Sequence, residues 1–170
     1  DVTNDQEQTI YVPCGIIEGE STEVIIIGAH HDTVYHGQGA VDDTSGTASV
    51  MEMARQLKMI GNETGTPERT IQFCTWGGEE EGLWGSKAYV AANKEFLKEN
   101  LRLYVNLDMN HVDSDESRGT SVSLFTNNAD DFGHMKRITK LYEAANPDMA
   151  ERYDIGLSLL AGDVGTLRVI

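Results

Sequence analysis

The segment that most restricts what this chain can become is Glu23 to Ala29, whose centre, Val24-Ile25-Ile26-Ile27, is unbroken β-branched sequence. A strand with one wet face alternates polar and apolar residues. A run that is apolar at every position needs cover on both faces, which places it in the middle of a sheet with helices above and below. The rest of the chain supplies those neighbours. Thr9 to Ile17 reads as an earlier strand, and Thr70 to Trp76, Leu101 to Leu107, Ser121 to Thr126 and Ile155 to Leu160 as later ones. Val50, Met53, Ala54, Leu57 and Ile60 recur at helical spacing, with Thr44 or Ser45 as cap and Gly61 at the exit. Ser86 to Glu99 reads as a second helix, and Phe132, Met135, Ile138, Leu141, Tyr142 and Ala145 mark an amphipathic third. Such alternation predicts an α/β fold of three layers, α/β/α, around a mixed, mostly parallel central sheet. With no repeat, linker or low-complexity tract, the 170 residues are expected to form a single domain over 1–170.

Charge narrows the partners. A formal net charge of -15 argues against nucleic acid and anionic membrane, because phosphate binding needs clustered Lys and Arg. No apolar run approaches the roughly 18 residues of a membrane span. Asp1 to Gln8 is polar and acidic, unlike a signal peptide. The first strand follows almost at once, so the sequence is read as beginning inside a longer gene product. Cys14 and Cys74 both fall in strand-like segments, and two cysteines make no framework, so buried free thiols are expected. Asn62-Glu63-Thr64 fits the glycosylation acceptor pattern.

Three strands end directly in acids or imidazoles. Residues 24–29 run into His30-His31-Asp32, with Gly39-Ala40-Val41-Asp42-Asp43 close behind. Residues 70–76 run into Gly77-Gly78-Glu79-Glu80-Glu81-Gly82, and residues 101–107 into Asp108. In a parallel sheet these ends share one edge, where α/β folds bind their ligands. Imidazole and carboxylate are the ligands Zn²⁺ takes, and two neighbouring zinc ions need a bridging carboxylate. An adjacent acid pair divides two tasks, one side chain on metal and the other receiving a proton from water. An Asp two residues after a ligand His fixes the tautomer of its ring. Singly, each motif has a plainer reading: a surface loop, a solvated helix start, a strand terminator. Their joint placement after three strands favours a site.

With those residues in view, the chain resembles the co-catalytic zinc aminopeptidases of metallopeptidase clan MH, family 28. Gly28-Ala29-His30-His31-Asp32 is similar to that family's Gly-Ala-His-x-Asp, and Gly39 to Gly46 to its Gly-x-x-Asp-(Asn/Asp)-x-Ser-Gly. Trp76 to Ser86 is similar to its Trp-x-x-Glu-Glu-x-Gly-Leu-x-Gly-Ser, and Asn106-Leu107-Asp108-Met109 to its Asn-Leu-Asp-Met. The resemblance implies a zinc exopeptidase acting on peptide ends, with two zinc ions. It implies His30, Asp42 and Asp108 around one zinc, with Asp42 bridging to a second that Glu80 also holds. Glu79 would be the general base and Asp32 the partner orienting His30, while Thr44 to Gly46 would support Asp42 through backbone donors. It also suggests export, to the periplasm or the cell exterior.

One element of the pattern departs. The family carries a late Ser-Asp-His ligand, whereas this chain reads Ala161-Gly162-Asp163-Val164-Gly165, with Val164 where the His would fall. His111 follows Asp108 too closely to match, and His134 is expected at the surface of a helix. Either the chain stops short of the ligand, or Asp163 stands in, or the second site is degraded; a fold incomplete at its C-terminus is favoured. His31 and His36 are read as loop residues. Trp76, Trp84, Tyr35 and Tyr89 are read as packing. A carboxypeptidase of the same clan shares the metal logic. A peptidase-like binding module would explain Val164 but not an intact Glu79. A single-zinc fold like the glutaminyl cyclases would not need His30. Carboxylate-rich sites also tolerate cobalt or manganese.

Overall fold

The central strand is where its composition requires it to be. In the computed structural model, which describes residues 7–110 and 121–160, β2 (Ser21–His30) is flanked on both sides by parallel neighbours. Four strands form the first sheet in the order β1-β3-β2-β4: β1 (Cys14–Ile17), β3 (Arg69–Trp76) and β4 (Leu101–Asn106) join β2, and β1 alone runs antiparallel. The β2–β3 connection is α1 (Thr44–Thr64), and the β3–β4 connection carries α2 (Trp84–Ala92) and α3 (Lys94–Asn100). One crossover steps outward from β2 to β3, and the next steps back past β2 to β4. Right-handed crossovers in opposite directions put their helices on opposite faces.

The two apolar clusters follow that division. Ile27, Ala29, Val50 and Phe73 are buried together with α1 residues Met53, Ala54 and Leu57 against them. Val24, Ile26, Cys74, Trp76 and Leu97 are buried on the other side, with Tyr89 and Val90 of α2 packed on them. Alternate residues of β2 thus feed two cores, and each fully buried Val or Ile contributes roughly 1.5–3 kcal/mol by leaving water.

Several local expectations shift. The first strand starts at Cys14, not Thr9; Pro13 has no N–H for a ladder and serves as an acceptor for Thr75 N at 3.0 Å. Helix α1 is capped by Asp43 rather than Thr44 or Ser45, and runs past Gly61 to a cap at Gly65. The helix expected over 86–99 is two helices, broken at Asn93, whose side-chain amide donates to Tyr89 O at 2.9 Å and competes with the helical ladder. Cys14 and Cys74 are not free thiols. Antiparallel pairing of β1 with β3 sets them directly opposite each other, and they form a disulfide.

Residues up to Asn110 make one compact unit, and a second lies within 111–168. There β5 (Ser121–Thr126) and β6 (Asp154–Leu159) pair in parallel through α4 (Ala129–Ala145) and α5 (Pro147–Arg152). Asn128 caps α4, accepting from Asp130 N at 2.8 Å and Asp131 N at 3.4 Å. Pro147 opens α5, a position where its missing N–H costs nothing. Ile138 and Leu141 of α4 are exposed, so the apolar stripe read from sequence is only partly covered. Among the described residues no helix is long and apolar enough to cross a membrane.

Candidate metal centre

Parallel pairing of β2, β3 and β4 sends their carboxyl ends to one edge. His30 ends β2 opposite Trp76, the last residue of β3, and Gly28 lies opposite Asn106, the last of β4. The strand order reverses at β2, so this edge is the switch point at which α/β sheets open a crevice. The close approach also explains Gly28: a Cβ there would come within 2.5 Å of Trp76 Nε1 and 3.0 Å of the Tyr104 hydroxyl.

The acids and the imidazole meet. His30 Nε2 lies 2.9 Å from Asp42 Oδ1 and 3.9 Å from Asp108 Oδ1. One candidate ligand atom each from His30, Asp42 and Asp108 lie within 4.8 Å of one another, and the same holds for His30, Glu79 and Glu80. The five acids expected from sequence at the site, Asp32, Asp42, Glu79, Glu80 and Asp108, are therefore gathered around the sixth residue, His30, whose side chain is only 3% exposed.

Asp32 holds a more central place than orienting His30 alone. His30 Nδ1 is 3.1 Å from the Asp32 carbonyl oxygen and 3.6 Å from its carboxylate. The carboxylate itself accepts the Glu79 N–H at 3.0 Å and the Glu80 N–H at 3.1 Å, tying the segment after β2 to the segment after β3. Backbone donors from Gly82 and Leu83 to Glu79 O, both 2.8 Å, close the turn that presents the pair.

Sequence reasoning missed Asp43. Support for Asp42 was expected from the amides of Thr44 to Gly46, but Gly46 N donates to Asp43 Oδ1 at 2.9 Å. Asp43 is 1% exposed and also accepts from His30 N and Met109 N, each at 3.2 Å. An acid doublet directly before a helix was the available signal, since the second acid stands at the N-cap position. The Asp42–Asp43 peptide bond is cis.

Electrostatics at this edge favour bound protons or cations. Burial pushes the Glu79 carboxyl up, with Glu80, Asp108 and Asp32 adding to the shift against His30. Asp108 is raised by burial and by Asp42, again against His30. Burial alone would lower the His30 imidazole, but Asp43, Glu79, Asp108 and Asp32 outweigh it, and the net shift is upward.

The donor set suits a divalent cation. Neutral imidazole nitrogen and carboxylate oxygen are the ligands zinc accepts. Glu80 Oε1 is buried with no hydrogen-bond partner among the described residues. A buried carboxylate oxygen left unpaired is costly unless a cation meets it.

Other expectations divide. His31 and His36 lie in the loop after β2 and His134 is exposed on α4, as read from sequence. Trp76 and Tyr89 pack, with Trp76 Nε1 donating to Tyr104 at 2.8 Å and the Tyr89 hydroxyl to Gln72 at 3.0 Å. Trp84 and Tyr35 do not pack: Trp84 opens α2 at 57% exposure, and Tyr35 meets the neighbouring His36 ring while 85% exposed. His111, Asp163 and Val164 lie outside the described residues.

Comparison with known proteins agrees on the family and includes both aminopeptidases and carboxypeptidases. A family model described as peptidase family M28 matches residues 14–155. The chain is 42% identical over 96 residues to a probable glutamate carboxypeptidase of Arabidopsis thaliana, a match covering 55% of this chain and 14% of that protein. It is 35% identical over 109 residues to an aminopeptidase of Pseudomonas aeruginosa, covering 64% and 19%. The crystal structure of a zinc aminopeptidase from Bacillus subtilis superposes with a TM-score of 0.61 at 27% identity, covering 86% of this chain and 34% of that one. The chain thus has the fold of these enzymes and spans well under half of their length.

Proposed function

Since the chain belongs to peptidase family M28, we propose that it carries the metal-binding core of a zinc exopeptidase that removes the amino-terminal residue from peptides. The observation that carries this reading is the convergence of Asp42, Asp108, Glu79 and Glu80 on His30 from three separate strand ends. His30, Asp42 and Asp108 would hold one zinc, and Asp42 with Glu80 a second. When bound, zinc supplies Lewis-acid polarisation of the scissile carbonyl and makes water more acidic.

The residues divide the remaining work. Glu79, its pKa raised by burial, accepts a proton from the attacking water and returns it to the departing amine. Asp32 fixes the Glu79–Glu80 backbone and contacts His30 Nδ1, so one side chain sets both the base and the ring. His30 is buried, while Asp108 and Asp42 are part-exposed, so the ring is fixed and the carboxylate side of the site stays open to substrate. The Cys14–Cys74 bridge supports an oxidising compartment, the periplasm or the cell exterior.

Glu79→Gln tests the role of the base. It keeps shape and hydrogen-bonding reach but cannot take the proton, so kcat falls roughly 10²–10⁴-fold while bound zinc is unchanged. Retained turnover removes Glu79 from the mechanism. A carboxypeptidase is the second reading, supported by the glutamate carboxypeptidase relative. Peptides blocked at one end separate the two. An aminopeptidase cleaves the carboxyl-amidated peptide and spares the amino-acetylated one; the reverse pattern makes it a carboxypeptidase.

A further inference from the structure

We infer that Asp43 is the positioning residue of this centre, the side chain that fastens together the segments bearing His30, Asp42 and Asp108. The inference rests on the metal-site reading above. Oδ2 accepts the N–H of His30 at 3.2 Å, while Oδ1 accepts Gly46 N–H at 2.9 Å and Met109 N–H at 3.2 Å. Those three amides belong to the end of β2, the first turn of α1 and the residue after Asp108. A single carboxylate therefore joins three pieces of chain far apart in sequence.

A helix cap alone does not require this. One acceptor suffices for a cap, and Ser or Asn serves there as well as Asp. Three converging N–H donors call for a group that only accepts, and an Asn would turn its own N–H₂ toward one of them. Among the described residues no Lys or Arg lies within ion-pair distance of Asp43, so the buried charge is held by amide donors. Packing removes the slack: a Cβ at Gly46 would meet Leu107 O and come within 2.5 Å of both Asp43 oxygens. Thr47 Oγ1 donates to His30 O at 2.8 Å, so both polar groups of the His30 backbone are pinned. The ligand-bearing backbone is thereby in position before any cation arrives, and outer partners of this kind typically carry about 10–100-fold in metal affinity.

The test measures zinc dissociation constants on the intact protein by competition with a chromophoric chelator. Asp43→Asn, which keeps an acceptable cap, binds zinc about 10–100-fold more weakly. Asn128→Ala, which removes the cap of α4, lowers the melting temperature and leaves zinc affinity unchanged. Equal affinity in wild type and Asp43→Asn overturns the inference while leaving the metal site standing. A wild type that binds no zinc overturns the metal reading itself. Amide exchange on chelator-treated wild type gives a second arm should Asp43→Asn not fold. Gly46 and Met109 amides stay protected without zinc; protection that appears only when zinc is added means the metal builds the site, and the inference falls.

Discussion

At the scale of single residues, the site is a set of acids kept close together against their mutual repulsion. Burial raises Glu79, Asp43 and Asp108, and the carboxylates around His30 raise it despite its own burial. In metal-free protein each of these groups holds its proton more tightly folded than unfolded. A raised carboxyl pKa means the native state binds more protons through the acid range, so its contribution to stability falls as pH rises. The His30 contribution has the same sign: present below the unfolded imidazole pKa, lost as pH climbs through the raised folded one. Zinc competes for the same atoms and replaces the lost protons. The melting-temperature gain on adding zinc is therefore larger near pH 8 than near pH 5, roughly the range over which such groups titrate. Melts across pH with and without zinc check this, and a gain independent of pH would contradict it. His30, Glu79, Glu80 and Asp108 stood out in the sequence because they end or closely follow a strand with a clear apolar signature, and Asp42 because it lies in an acid doublet just before a helix. Asp43 was legible only as a helix cap to Gly46, since its other two donors, the His30 and Met109 amides, lie 13 and 66 residues away.

At the scale of elements, what sequence periodicity captured was the existence of strands and helices, and what escaped it was set by side-chain competition or pairing. Asn93 divides α2 from α3 through a local hydrogen bond that apolar spacing does not reveal. The Cys14–Cys74 bridge depends on β1 adding antiparallel to β3, a register decided by pairing across 60 residues of intervening sequence. That bridge makes a prediction of its own. Closing so long a loop constrains the unfolded chain by about 4 kcal/mol on the entropy model. Cys14 is exposed and tolerates a hydroxyl. Cys14→Ser then loses roughly 2–4 kcal/mol of stability in denaturant titration while hydrolysis at moderate temperature persists, since β1 is the sheet edge farthest from β4. Lost activity in folded Cys14→Ser protein would show that β1 takes part in the site.

At the scale of the whole molecule, the order of strands turns scattered motifs into one pocket. β2 lies between β3 and β4, so the three segments that carry ligands leave the sheet side by side, while α1 and α2–α3 cover its faces. The α/β class and the mostly parallel sheet followed from the β-branched core of β2 and the alternation around it. Strand order did not, because periodicity records which faces are covered and not which strand lies beside which. The acidity of the chain, -15 overall, is in part site-directed: the carboxylates of Asp32, Asp42, Glu79, Glu80 and Asp108 surround His30. The most direct test is the zinc content of the purified protein and of its Asp42→Ala variant, measured by mass spectrometry after dialysis against trace zinc. Two zinc ions per wild-type chain are expected, and neither in Asp42→Ala, because under the proposed arrangement Asp42 would serve both positions. Wild-type protein holding no more zinc than Asp42→Ala would contradict it.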